Sequence, residues 1–424
     1  MKKVAFHTLG CKVNAYDSAA MLALFLQHGY EEVPFEQAAD IAVINTCTVT
    51  AVADKKSRAM IRRAARTAKV IVAGCLAQKS AEELLAMDGV DAVLGTDERS
   101  RIVDVAERLL QGEEKIDATR DLKGCGFETM VTSGTGPRTR GIIKIQEGCD
   151  NFCSYCIIPY VRGRSRSRTL ADIVAEAETL TNSGIKELVL TGIHIASYED
   201  EGKDLADVIL ALDRLNVRIR LGSLEPGKFA KDFIARIAGA KNLCPHFHIS
   251  LQSGSDSVLR RMNRHYTAGE YLDFLRLLRR HFDMPGITTD VIAGFPGETE
   301  DEHRETMEFV RACVFSRMHV FPFSARKGTK AYEMTPKVDK TIARLRASEL
   351  IALGDELEDA YIASLLGHAD EVLFEEASKA FSGCLEGYSR RYVRVAANAV
   401  HNEIKTVALT RAKDKVIYAE EKEI

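Results

Sequence analysis

The chain contains no apolar run approaching the roughly 18 residues that a membrane helix requires. Between Lys2-Lys3 and His7 it offers only Val4-Ala5-Phe6, too little for the apolar core of a secretion signal. Membrane insertion and export are not expected, and the expected compartment is the reducing cytoplasm. Charge of one sign is also lacking: 58 basic and 61 acidic side chains leave a formal −3, so any nucleic-acid face has to be a local basic patch. Internal repeats and low-complexity tracts are absent. Without export, the ten cysteines do not read as a disulfide framework. What is present is the 46% apolar and 28% charged balance of a globular protein. At 424 residues the chain exceeds what one core usually organises, so two or three domains are expected.

Residues 1–112 alternate short β-rich runs (Val4-Ala5-Phe6, Ile41-Ala42-Val43-Ile44, Val70-Ile71-Val72-Ala73) with helical stretches near 17–28, 51–67 and 80–87. This spacing predicts a parallel sheet covered by helices on both faces. Residues 113–138 are polar, carry Gly124, Gly134, Gly136 and Pro137, and read as a linker. A second series within 139–366 places strands at 142–145, 187–190, 217–221, 247–251, 289–292 and 318–321, with helices at 170–182, 229–239, 268–281 and 299–312. Six such units predict an open or partial (β/α) barrel with its chemistry at the C-terminal strand ends. Short strands at 371–374, 392–395, 406–409 and 416–418 make residues 367–424 a small appended β-barrel.

Three cysteines stand within eight residues in Cys149-Asp150-Asn151-Phe152-Cys153-Ser154-Tyr155-Cys156, directly after the first strand of the second series. Three thiolates on one loop hold three irons of a 4Fe–4S cube and leave the fourth open. A zinc knuckle is the plainer alternative, but it normally wants ligands in pairs and a closed fourth position. Cys11, Cys47 and Cys75 each lie just past a strand, after Thr8-Leu9-Gly10, Asn45-Thr46 and Ala73-Gly74. The carboxyl ends of parallel strands share one edge, where ligands bind, so these three can converge on a second cluster. Buried core cysteines are the alternative for each taken singly. Cys125, Cys244, Cys313 and Cys384 fit neither triad and read as packing residues, Cys125 being the one to test for reactivity.

The chain resembles the radical S-adenosylmethionine (radical SAM) methylthiotransferases along essentially its whole length. The resemblance is carried by the two triads, by Asn151-Phe152-Cys153-Ser154-Tyr155-Cys156-Ile157-Ile158-Pro159, by Leu251-Gln252-Ser253-Gly254-Ser255, and by Gly294-Phe295-Pro296-Gly297-Glu298-Thr299. Thr8-Leu9-Gly10-Cys11-Lys12-Val13-Asn14 is most similar to the branch acting on N6-threonylcarbamoyladenosine. The branches acting on isopentenyladenosine and on an aspartate of a ribosomal protein differ around that first cysteine. The implied fold is α/β: a flavodoxin-like parallel sheet, a partial (β/α)6 radical SAM barrel and a small antiparallel TRAM barrel that binds RNA. The implied reaction, at a modified tRNA adenine, replaces C2–H by C–S–CH3. Implied cofactors are two 4Fe–4S clusters and S-adenosylmethionine. The cluster on Cys149, Cys153 and Cys156 generates a 5′-deoxyadenosyl radical, and the one on Cys11, Cys47 and Cys75 holds the sulfur. Implied partners are tRNA, an electron donor of flavodoxin or ferredoxin type and a sulfur source.

Under the same resemblance, cofactor contacts are expected from Thr191 and Gly192 after the second barrel strand and from Ser223 and Glu225 beyond the third. His248, Gln252 and Ser253 flank the fourth strand, and Asp290 and Gly294 belong to the fifth; ordinary loop or core roles are the alternative for each. Arg162, Arg164, Arg166 and Arg168 alternate just after the cluster loop and are expected to contact RNA phosphates, with Arg390, Arg391 and Arg394 as a smaller patch. A solvated or carboxylate-paired loop is the alternative. Tyr388 and Tyr392 are candidates for base stacking, or for core packing.

Overall fold

The structure is a computed structural model describing residues 1–132, 139–227, 229 and 232–421. Gly134, Gly136 and Pro137 of the expected linker lie outside the described residues. Six parallel strands build the first sheet: β1 (Lys3–Thr8), β2 (Glu31–Glu32), β3 (Ile41–Thr46), β4 (Lys69–Gly74), β5 (Ala92–Leu94) and β6 (Ile116–Ala118). Their order is β2-β1-β3-β4-β5-β6. The central strands carry the apolar runs Ile41–Ile44 and Val70–Ala73 because both faces are covered. Met21, Phe25, Val105 and Leu109 pack on one side, and Ile61, Leu76 and Leu84 on the other. β6 corrects the linker expectation: Ile116 and Ala118 are buried beside β5, in a strand too short to show a pattern.

The second unit runs through β7 (Arg140–Lys144), a short antiparallel pair β8 (Gln146–Glu147) and β9 (Arg166–Ser167), then β10 (Glu187–Thr191), β11 (Arg218–Leu221), β12 (Ser223–Leu224), β13 (His246–Ile249), β14 (Gly286–Ala293) and β15 (Arg317–Pro322). β7, β10 and β11 form one parallel sheet and β12 to β15 another. β11 and β12 are successive pieces of chain separated only at Gly222, so six strand positions form an open barrel. Threonine caps start three of its helices: Thr169 before Leu170–Asn182, and Thr267 and Thr299 in reciprocal boxes with Glu270 and Glu302 before Ala268–His281 and Glu300–Cys313. A further helix, Lys340–Leu365, buries Ala347, Leu350 and Leu353 in the barrel core. Among the described residues no helix is long and apolar enough to cross a membrane.

The tail is a closed five-stranded barrel of β16 (Ala369–Ala377), β17 (Leu385–Ser389), β18 (Arg394–Ala397), β19 (Glu403–Lys413) and β20 (Val416–Glu421). It departs from a wholly antiparallel barrel in one pairing, since β18 and β20 run parallel. Two arginines expected at RNA instead fasten this barrel to the central one. Arg390 donates to the carbonyls of Lys241 and Leu243 at 2.6 and 2.8 Å, and Arg391 pairs with Asp370 at 3.2 Å and donates to the Met284 carbonyl. Tyr388 and Tyr392 stack on each other at 4.5 Å, with Arg140 over the first and His246 stacked on the second. Their faces are thus taken by protein rather than left for bases. Beside them, buried Glu187 accepts from Arg220 at 2.7 and 2.9 Å and pairs with Arg218 at 2.9 Å.

Candidate active site between the two cysteine triads

Cys11 and Cys47 follow β1 and β3, the strands between which the sheet order reverses, and Cys75 follows β4. Side-chain amides and a hydroxyl tie the three loops together. Asn14 donates to the carbonyls of Leu9 and Thr46 at 2.7 and 2.9 Å, Asn45 donates to the carbonyl of Asn14 at 2.9 Å, and Thr46 donates to the carbonyl of Ala73 at 2.6 Å. Gly10 presses against the second cysteine: a Cβ there would stand 2.7 Å from Cys47 Cβ and 3.0 Å from its Sγ. The thiols feel one another. Burial pushes the Cys47 thiol up, and nearby Cys11 adds to it. Burial likewise pushes Cys75 up to about 11, opposed by Arg162 and assisted by Cys11 and Cys47.

The other triad sits on a loop whose backbone is pinned on several sides. Cys149 N–H donates to Gly163 O, Cys156 N–H to Cys153 O, and Ser154 N–H to Met262 O. Asn263 donates to the carbonyls of Asn151 and Phe152, both at 3.1 Å. Burial raises Cys149 to about 11 and Cys156 to about 12, with Cys153 adding to both. Among the described residues no three His, Cys, Asp or Glu side chains converge on a single-ion site. Thiols that bind different iron corners of a cube need not converge so closely, whereas the four ligands of one zinc must.

A cavity of ≈ 250 Å³ lies between the two triads. Val49 and Thr50, two and three residues past Cys47, line one side, and Tyr155, Cys156, Ile157, Gln252, Asp290, Ile292 and Phe323 line the other. Gln252 holds the cavity wall through its backbone, exchanging hydrogen bonds with Asp290 and Ile292 at 2.8 Å. His248 is fixed in the barrel by Thr288 at 2.9 Å and Asp290 at 3.2 Å. Glu225 is buried at the strand end, where its Oε2 accepts from Asn151 at 2.9 Å and pairs with Arg264 at 3.0 Å. Its Oε1 is buried with no hydrogen-bond partner among the described residues. Arg264 also donates to Cys153 Sγ at 3.2 Å.

Other expected contacts are placed differently. Ser253 is buried with its hydroxyl on Thr306 at 3.2 Å, which takes it out of the cofactor site. Gly294 serves close packing, since a Cβ there would fall 2.3 Å from Ala343 Cβ. Gly192 lies against the Gln146 carbonyl, Thr191 is buried with its own carbonyl bonded to Ile145 N–H, and Ser223 is exposed.

The arginine run is corrected most strongly. Arg168 is buried against Glu176 and Tyr16. Arg166 is held by the carbonyls of Arg162 and Arg164. Arg162 is fully buried, and a guanidinium so enclosed by protein acceptors has no face left for a phosphate. Only Arg164 stays open, with 71% of its side chain exposed while it pairs with Asp150. Arg394 is partly exposed and pairs with Glu386.

Sequence reasoning missed the ion cluster between the two units. Asp17 accepts from Arg99 at 2.7 Å and Lys144 at 2.6 Å, and Glu147 accepts from Arg162 at 2.9 and 3.0 Å and pairs with Lys144 at 3.2 Å. Burial alone would raise Asp17, but Arg99, Lys144 and Arg162 more than offset it and hold its carboxyl low. The signal was a lone lysine within the apolar run Ile142-Ile143-Lys144-Ile145. A second tie is buried Arg326, which donates to Thr48 at 2.7 Å and Asp54 at 2.5 Å. Cys244 and Cys313 are buried as expected for packing residues, and Cys125 touches Arg120 at 3.0 Å.

Residues 143–310 match the model of the Radical SAM superfamily, and residues 3–95 that of an uncharacterized protein family, UPF0004. The threonylcarbamoyladenosine tRNA methylthiotransferase MtaB of Bacillus subtilis is 41% identical over 95% of this chain and 92% of its own. The Aquifex aeolicus protein of the same name is 39% identical over 81% of this chain and 86% of its own. A tRNA-2-methylthio-N(6)-dimethylallyladenosine synthase of Desulfotalea psychrophila is 35% identical over 87% of each. Among solved structures, the radical S-adenosylmethionine methyltransferase TsrM of Kitasatospora setae superposes with a TM-score of 0.57 at 15% identity, over 76% of this chain and 72% of that one, a likeness of fold. Radical SAM membership carries with it S-adenosylmethionine and one 4Fe–4S cluster. The chain thus belongs to the radical SAM methylthiotransferases, a family of enzymes.

Proposed function

We propose that this enzyme converts N6-threonylcarbamoyladenosine in tRNA to its 2-methylthio derivative, using a 4Fe–4S cluster on Cys149, Cys153 and Cys156 and a second one on Cys11, Cys47 and Cys75. The observation that carries the reading is a cavity lined from one side by Val49 and Thr50, just past Cys47, and from the other by Cys156 itself. Two groups that must act on one carbon need such a shared space. The donors suit the clusters: they are soft thiols in threes, and although burial and neighbouring cysteines raise Cys75 and Cys156, iron binding displaces the thiol protons. When bound, the barrel cluster with S-adenosylmethionine supplies one-electron chemistry able to break the adenine C2–H bond, and the upstream cluster supplies sulfur.

The chain's own residues bind, orient and exclude water. The lone buried oxygen of Glu225 is a ready acceptor for the ammonium or a ribose hydroxyl of S-adenosylmethionine, while Asn151 and Arg264 hold that carboxylate in place. Tyr155, Ile157, Ile292 and Phe323 give the cavity an apolar wall that keeps solvent from a reactive centre. Gln252 and Asp290 are polar groups at its barrel side, placed to orient a base. Arg164 is the arginine of the run open to an RNA phosphate. The branch choice rests on the Thr8–Asn14 segment and on 41% and 39% identity to relatives named for threonylcarbamoyladenosine, against 35% to one named for dimethylallyladenosine. An electron donor of flavodoxin or ferredoxin type, a sulfur source and a cytoplasmic location complete the reading.

The test is anaerobic incubation of cluster-loaded enzyme with reductant, S-adenosylmethionine and three substrates: threonylcarbamoyl-tRNA, isopentenyl-tRNA and a ribosomal protein bearing the target aspartate. Methylthio product on the first alone is expected. Product on either other substrate instead would move the chain to another branch, and absence of 5′-deoxyadenosine throughout would refute the enzymatic reading.

A further inference from the structure

The short helix Ile158–Arg162 begins two residues after Cys156 and ends on a residue that touches the other triad. Its apolar side, Val161 with Ile157 and Ile158, packs directly on Cys75, and the Val161 carbonyl accepts from Thr96 at 2.6 Å. At its last residue, Arg162 Nε donates to Cys75 Sγ at 3.2 Å. One remaining nitrogen reaches both Glu147 oxygens, and the other donates to Asn14 Oδ1 at 2.5 Å. Asn14 is the residue that ties the Cys11 and Cys47 loops together. One guanidinium therefore contacts a cysteine of the upstream triad, the residue organising its loops, and the carboxylate two positions before Cys149.

We propose that Arg162 is a positioning residue of the reaction: it fixes the upstream triad against the barrel loop and holds a positive charge on the Cys75 sulfur, so that the two metal centres keep a set spacing and the upstream one a raised potential. This rests on the reading of Cys11, Cys47 and Cys75 as cluster ligands. A cation and an N–H donor at a ligand sulfur favour the reduced, more negative cluster. Lysine cannot replace it, because a single ammonium has no planar fork to bridge Cys75, Asn14 and Glu147 together. Loss of Arg162 still leaves Arg99 and Lys144 facing Asp17 and Glu147, so the buried charges stay paired and the variant keeps a basis for folding.

The test uses full-length protein with Cys149, Cys153 and Cys156 replaced by alanine, so that any cluster present is upstream. Arg162→Gln and Arg162→Lys are compared with the parent by iron content and by a redox titration followed by electron paramagnetic resonance. With Arg162→Gln, the reduced-to-oxidised ratio at fixed potential is expected to fall at least about tenfold, equivalent to 59 mV for one electron; Arg162→Lys is expected to fall in between. In enzyme with both triads intact, Arg162→Lys should keep 5′-deoxyadenosine formation while methylthio product drops about tenfold or more. Loss of the upstream cluster in Arg162→Gln but not Arg162→Lys would equally support the proposal. An unchanged potential in loaded Arg162→Gln would overturn it with the cluster assignment intact. A parent that loads no cluster would overturn the assignment and the proposal with it.

Discussion

Replacing Gly10 by alanine tests whether the upstream loops are built around close contact at the cysteines. Gly10 has φ +102°, a region that side chains disfavour by about 1–2 kcal/mol. Its added methyl would also meet Cys47 Cβ at 2.7 Å and Sγ at 3.0 Å, and overpacking of this kind costs about 1–3 kcal/mol. Gly112 separates the two effects, since it has φ +99° with nothing within 4 Å of the same hypothetical atom. Gly112→Ala should therefore show the backbone cost alone, and Gly10→Ala about 1–3 kcal/mol more in anaerobic urea unfolding of the apo protein. In the loaded protein, Gly10→Ala should drop from about eight irons to about four, because displaced Cys47 no longer serves the upstream cluster. Cleavage of S-adenosylmethionine should survive while methylthio product is lost. Equal unfolding of the two variants, with iron undiminished in Gly10→Ala, would refute the reasoning.

Glu225→Gln should weaken S-adenosylmethionine binding at least tenfold in equilibrium dialysis while iron content stays unchanged; unchanged affinity would remove Glu225 from the cofactor site. Arg164→Ala should weaken tRNA binding and lower the salt slope by about one without changing stability. Arg168→Ala should instead destabilise by about 3–5 kcal/mol, because it strands buried Glu176. Burial would raise Glu187, but Arg220 and Arg218 outweigh it and bring the carboxyl from 4.5 down to about 2. A depressed carboxyl stabilises the fold above its unfolded value and loses that contribution as pH falls. About 3 kcal/mol should therefore disappear between about pH 4.5 and 2, as read by acid unfolding, and Glu187→Gln should lack that slope.

The parts of the fold with strong periodicity were legible in the chain. Helices Leu170–Asn182 and Ala268–His281 fall on their expected bounds because a capping threonine and a turn mark their ends. The six barrel strands fall within a few residues of expectation. Short or weakly amphipathic elements were not legible. β2, β5 and β6 hold two or three residues each, and Lys340–Leu365 blurs its apolar stripe by burying Arg346 while leaving Ile342, Leu345 and Ile351 exposed. At the site, the cysteine spacing and strand-end placement led to the cavity. The arginine run misled because charge on a sequence says nothing of partners: Arg162 and Arg168 meet carboxylates lying 15 and 8 residues further along or back. Ser253 and Gly294 misled in another way, as motif residues whose small size serves packing against Glu300–Cys313 and Lys340–Leu365.

Iron and acid-labile sulfide per chain, measured in anaerobically loaded protein and in two triple-alanine variants, bear most directly on the proposed second cluster. Intact protein should hold about eight of each, and removal of either Cys11, Cys47 and Cys75 or Cys149, Cys153 and Cys156 should leave about four. About four in the intact protein, with no further loss when Cys11, Cys47 and Cys75 are replaced, would contradict a cluster on the upstream triad.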